Sequence, residues 1–87
     1  MTLDSKNMRL DDKDLTEREY SFLITLLSNE VVKTERIYKF LYREENDKYN
    51  KTRRLSVIKK RLVEKTGLEI TTKNNVGYTL KDCIQIV

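Results

Sequence analysis

Apolar positions recur at helical spacing in three stretches of the chain and alternate in a fourth. Leu15-Thr16-Glu17-Arg18-Glu19 opens the first helix: Thr16 is the predicted N-cap and Glu19, three residues on, completes a capping box. Leu15 stands where a hydrophobic staple belongs. Tyr20, Phe22, Leu23, Leu26 and Leu27 form the apolar stripe, and Ser28-Asn29-Glu30 ends it. Val31-Val32 reads as a short extended piece. Thr34 is predicted to cap a second helix from Glu35 to about Arg43, with Ile37, Phe40 and Leu41 inward and Tyr38 and Tyr42 beside them. Glu44 to Lys48 is a polar loop. A third helix starts at Asn50 or Thr52, with Tyr49 near its entrance, and runs to about Thr66, where Gly67 suits the left-handed residue that follows a helix.

The third helix has two distinct faces. At 100° per residue, Leu55, Ile58 and Leu62 lie within about 60° of one another and form the buried stripe. Arg53, Ser56, Val57 and Lys60 lie roughly opposite, flanked by Arg54 and Arg61 on one side and Lys59 on the other. An outward valine on an otherwise polar face has no explanation as core.

Glu69 to Leu80 alternates as a strand pair does. Asn74-Asn75 fits a two-residue turn that needs positive φ twice, and Val76, Tyr78 and Leu80 are predicted to share the face that packs on the helices. The tail from Cys83 to Val87 is expected to add a strand or cover an edge. Residues 1–8 are polar and read as a flexible N-terminus. Met8-Arg9-Leu10 is one short strand, Asp11 to Asp14 a turn, and residues 9–87 the folded domain. The expected class is α+β, mainly α: three helices followed by a β-hairpin.

Charge is unevenly distributed. Residues 1–30 hold four basic and seven acidic side chains, leaving 14 basic and seven acidic for residues 31–87. From Lys48 to Arg61 there is no acid at all. Such asymmetry is the footprint of a domain that turns one side to a polyanion; an unevenly charged solvated surface is the plainer alternative.

Catalysis and metal binding find little support. The chain has no histidine, the commonest general base and metal ligand, and no Gly-rich phosphate loop. Cys83 is the single cysteine, expected as an inert thiol packed near the C-terminus. No metal or other cofactor, and no enzymatic activity, is expected. No apolar run approaches the roughly 18 residues of a membrane helix, and the N-terminus lacks a signal-peptide layout. A cytoplasmic location without membrane contact follows as the expectation.

In the order helix, helix, basic helix, hairpin, the chain resembles the OmpR/PhoB-type winged helix-turn-helix, the output domain of many bacterial response regulators. Leu15 through Leu23 is similar to that family's "LTxxEfxLL" opening, and Val31 through Ile37 to its "vvsreeL". Leu41-Tyr42 stands where the family has "vW", and Leu55 through Leu62 is similar to "IsrLRkKL". Ile70 through Leu80 looks like "IrTvrGvGYrL", with Val76-Gly77-Tyr78 identical. The resemblance covers about residues 9–81.

It implies a sequence-specific regulator of transcription on double-stranded DNA. The helix at about 50–66 would enter the major groove, and the wing at about 69–80 would meet the backbone or minor groove. Arg53, Ser56, Val57 and Lys60 would face the bases, arginine pairing with guanine and Val57 meeting a thymine methyl. Arg54, Lys59 and Arg61 are placed for phosphates. Lys51, Lys73, Asn74 and Asn75 would add backbone or minor-groove contacts.

The chain also departs from the family. The Pro-Gly between the first two helices is missing, Asn75 replaces the first wing glycine, and Asn74 and Thr79 stand where wing arginines belong. There is room for one N-terminal strand instead of a sheet, and none for a receiver domain. The chain is thus expected to be a stand-alone regulator or a piece of a larger one. So small a domain reads a short half-site, so a homodimer or tandem copies on repeats are expected, with RNA polymerase or another regulator as further partners. The competing reading is a winged-helix module that docks a protein partner instead of DNA.

Overall fold

The computed structural model describes residues 1–42, 51–73 and 76–87, with Lys51 described by its backbone. The predicted loop from Glu44 to Lys48, the end of the second helix at Arg43, Tyr49, Asn50 and the Asn74-Asn75 turn lie outside the described residues. Three helices and two small sheets form an α+β fold: α1 (Glu17–Thr25), α2 (Thr34–Leu41) and α3 (Lys51–Thr66), with strands β1 (Thr2–Asp4), β2 (Arg9–Leu10), β3 (Lys13–Asp14), β4 (Val32–Lys33), β5 (Ile70–Lys73), β6 (Gly77–Leu80) and β7 (Gln85–Ile86). No helix among the described residues is long and apolar enough to cross a membrane.

The N-terminal region holds three strands where the sequence suggested one. The first sheet has the order β3-β2-β1-β7, and the pairing of β7 with β1 is parallel, Thr2 opposite Gln85 and Leu3 opposite Ile86. Residues 1–8, expected to be flexible, thus contain a paired strand. Their polar composition hid Leu3, which with Leu10 is buried in the common core. Short-range aspartate chemistry shapes the tight connections. Asp4 Oδ1 accepts from the Lys6 and Asn7 amides, and the Asn7 side chain donates to Asp4 Oδ2. These bonds favour the ionised form and hold the Asp4 carboxyl below its ordinary range. Asp11, at φ +53°, accepts the Thr2 amide on Oδ1. The expected turn at Asp11–Asp14 therefore covers Asp11-Asp12 alone, since Lys13–Asp14 pairs as β3.

The α1 start is as predicted. Thr16 Oγ1 accepts the Glu19 amide at 3.2 Å, and Glu19 Oε1 accepts the Thr16 amide at 2.8 Å. The helix ends earlier than expected, at Thr25. Asn29, at φ +61°, then reverses the chain and donates from Nδ2 to the Leu80 and Asp82 carbonyls at 2.9 Å. Asparagine tolerates this left-handed backbone.

Val32 and Lys33 of β4 pair with Tyr78 and Gly77 of β6, giving a second sheet of order β4-β6-β5. Here the backbones approach closely: a Cβ on Gly77 would run into the Val32 carbonyl and the Lys33 Cα. Thr34 is the first helical residue of α2 and not its cap. Lys33 occupies the cap position without a side-chain bond, and the Thr34 amide donates to the Val76 carbonyl at 3.1 Å.

Two expected core residues lie outside. Phe40 is 42% exposed. Ile37, Tyr38 and Leu41 form the buried stripe of α2, with Tyr38 stacked on Tyr42 at 4.8 Å between ring centres, and Phe40 falls about 100° from that stripe's centre. Val76 is 49% exposed because the last register pair is Lys73 with Gly77, which leaves Val76 in the connection and not in the strand. Cys83, expected to be packed, is exposed.

The remaining apolar positions converge as the pattern requires. Leu55, Ile58 and Leu62 of α3 are buried with Phe22, Leu23 and Leu26 of α1 and Tyr78 and Leu80 of β6. Phe22 and Tyr78 meet edge to face at 5.4 Å. Each fully buried side chain of this kind contributes roughly 1.5–3 kcal/mol. Gly67, at φ +76°, closes α3 with its amide on the Val63 carbonyl.

Candidate nucleic-acid interface

With Leu55, Ile58 and Leu62 fixed in the core, the helical repeat forces the opposite side of α3 outward. Arg53, Ser56, Val57 and Lys60 are all exposed there, and Val57 keeps 43% of its surface. Arg61 is exposed beside them. Among the described residues none of Arg53, Lys60 and Arg61 has an ion-pair or hydrogen-bond partner. The outer face thus presents three cations around the exposed Val57.

The flanks of this face differ. On one side Lys59 is half-buried and donates from Nζ to Thr72 Oγ1 of β5 at 2.7 Å, with its ammonium 6.0 Å from the centre of the Tyr78 ring. Expected as a phosphate ligand, Lys59 also ties α3 to β5 through one of its three ammonium donors. Lys73, at the end of β5, is exposed. Lys51 opens α3, and Asn74 and Asn75 lie outside the described residues.

On the other side α3 faces the first turn of α1. Arg54 is half-buried there with its guanidinium 5.1 Å from the Tyr42 ring centre. Arg18 lies above the same ring at 4.0 Å, and its Nη1 donates to the Leu41 carbonyl. Arg18, Arg53, Arg54 and Arg61 line a concavity of about 600 Å³ with Tyr42 and Val57. The sequence reading missed Arg18. No periodicity links the start of α1 to the outer face of α3; their proximity is tertiary.

Beneath this flank lies an ion pair that the sequence revealed only by half. Glu19, 2% exposed, receives Lys65 Nζ at 2.7 Å as well as the Thr16 amide, and Lys65 also donates to the Asp14 carbonyl at 3.0 Å. Burial pushes the Glu19 carboxyl upward, but the hydrogen bonds from Lys65 and Thr16 outweigh it and hold the group below the ordinary glutamate range. Glu19 is therefore a buried structural anion that positions α1 on α3. Its Oε2 has no partner among the described residues.

Among the described residues no group of three or more His, Cys, Asp or Glu side chains comes together as metal ligands would. No family model matches the chain, and no curated protein matches it.

Proposed function

We propose that the chain is a sequence-specific DNA-binding domain of the winged helix-turn-helix kind, with α3 in the major groove of a duplex and the β5–β6 pair as its wing. The observation that carries this reading is the outer face of α3. Arg53, Lys60 and Arg61 stand exposed around the exposed Val57, without acidic partners among the described residues. An α-helix fits the major groove, where arginine recognises guanine and a small apolar side chain recognises the thymine methyl. The order of helices and strand pair supports the same arrangement. Two copies, as a dimer or in tandem, would lengthen the sequence read, and transcription regulation would follow from where they bind.

Reversing charge at Arg53 and Lys60 together tests it. Arg53→Glu/Lys60→Glu is expected to abolish duplex binding with an unchanged melting temperature, since both side chains are exposed and neither is hydrogen-bonded or ion-paired among the described residues. Undiminished binding by that variant would refute the assignment of the face.

One observation favours a second reading, a docking module for a protein partner. Val31 and Phe40, 45% and 42% exposed, flank a further concavity that also takes in Ile24 and no residue of α3. On that reading Phe40→Ala breaks a partner complex and Arg53→Glu/Lys60→Glu leaves it intact.

A further inference from the structure

The two flanks of α3 are electrostatically unequal, and the stronger one includes a residue outside the helix and the wing. A helix in a major groove about 12 Å wide has one phosphate strand along each side. Each strand then meets whatever element lies beside the helix. On the β5 side Lys59 is bonded to Thr72, and Lys73 is the one cation exposed on the described part of the strand. On the α1 side Arg18, Arg53 and Arg61 line the concavity. Among the described residues the one acid at its wall is Glu19, which is buried and bonded to Lys65.

We infer that Arg18 is a phosphate-binding residue and that the α1 side of α3 carries the main backbone contact of the DNA interface; this rests on the DNA-binding reading above. Arg18 suits the role by how it is held. The Tyr42 ring covers a face of its guanidinium and the Leu41 carbonyl takes one of its five N–H donors. Donors remain for a second acceptor, on a fork already oriented, so little freedom is lost when a phosphate arrives. No carboxylate pairs with Arg18 among the described residues. Its bond to Leu41, in the last turn of α2, also caps a helix carbonyl, and a purely structural role is the alternative that the test must exclude.

The test measures affinity for a duplex selected by the wild-type chain across a range of salt, for wild type, Arg18→Ala, Arg18→Lys and Lys73→Ala, alongside ethylation interference on the same duplex. Arg18→Ala is expected to bind roughly fivefold to tenfold more weakly at near-physiological salt. Its salt slope is expected to be smaller by about one, with the preferred sequence unchanged. Ethylation of one phosphate flanking the α3 contact weakens wild type and no longer affects Arg18→Ala. Arg18→Lys keeps the wild-type slope even if the loss of stacking on Tyr42 lowers its melting temperature, and Lys73→Ala loses less affinity than Arg18→Ala. An unchanged slope and interference pattern in Arg18→Ala overturns the inference and makes the residue a helix cap. The DNA-binding reading then survives provided Arg53→Glu/Lys60→Glu still abolishes binding. Failure of the wild-type chain to bind any duplex overturns both.

Discussion

Lys59 of α3 and Thr72 of β5 are joined side chain to side chain, Nζ to Oγ1 at 2.7 Å, so the helix proposed to read DNA and the strand pair beside it are fixed relative to each other at the surface. The bond lies at the surface, with Thr72 exposed and Lys59 half-buried, and removing it is expected to cost less than about 1 kcal/mol of folding stability. Its effect on binding is expected to be larger. Thr72→Val leaves the lysine charge in place but releases the alignment, and should weaken duplex binding severalfold. Urea melts and anisotropy titrations of Thr72→Val and Lys59→Met check this; wild-type affinity in Thr72→Val would show that the clasp has no part in recognition.

Gly77 is required by proximity and not by backbone angle. A methyl group there would enter the Val32 carbonyl, and β4 cannot retreat without breaking its pairs with β6. Gly77→Ala is expected to destabilise the fold by about 2 kcal/mol or more, seen as a lower midpoint in thermal or urea unfolding. A midpoint equal to wild type would mean that β4 gives way easily.

The Glu19–Lys65 pair predicts a signed pH dependence. The folded-state carboxyl lies below the ordinary glutamate value of about 4.3. Its contribution to stability is therefore complete above that value and disappears as pH falls through the folded value. Lys65→Met leaves a buried carboxylate without its cation, which costs of the order of 3 kcal/mol at neutral pH. In that variant burial dominates and the Glu19 pKa rises, so the deficit shrinks as pH falls toward 4. Chemical unfolding of both proteins between neutral and acid pH checks the sign; a deficit that grows on acidification would contradict it.

Val57 predicts a base preference. If its exposed methyls meet a thymine methyl, replacing that thymine by uracil should weaken wild-type binding by up to about 0.8 kcal/mol, the value of one buried methylene. Val57→Ala should bind the two duplexes with nearly equal affinity. Titration of both proteins against both duplexes measures the coupling, and additive effects would exclude the contact.

The elements were legible in the sequence wherever local chemistry determines them. The Thr16–Glu19 capping box, the Leu55-Ile58-Leu62 stripe and the Gly67 stop all depend on residues within a few positions of one another, and all stand as predicted. What escaped depended on long-range partners. Leu3 is buried in the core on a strand held between β2 and β7, and nothing within residues 1–8 announces that strand. Phe40 is exposed because Tyr38 takes the inward place on α2 and stacks on Tyr42. The candidate site divides in the same way. The helical repeat alone exposed Arg53, Ser56, Val57 and Lys60. The engagement of Lys59 with Thr72 and the approach of Arg18 to α3 depend on tertiary packing.

The central claim is that the outer face of α3 reads DNA sequence. Its most direct measurement is selection from a pool of randomised duplexes near physiological salt, carried out in parallel with wild type and Arg53→Glu/Lys60→Glu and followed by sequencing of the retained molecules. The account predicts that wild type enriches a short motif containing guanine and thymine and that the double variant enriches nothing. Absence of a motif with wild type, or the same motif with both proteins, would contradict it.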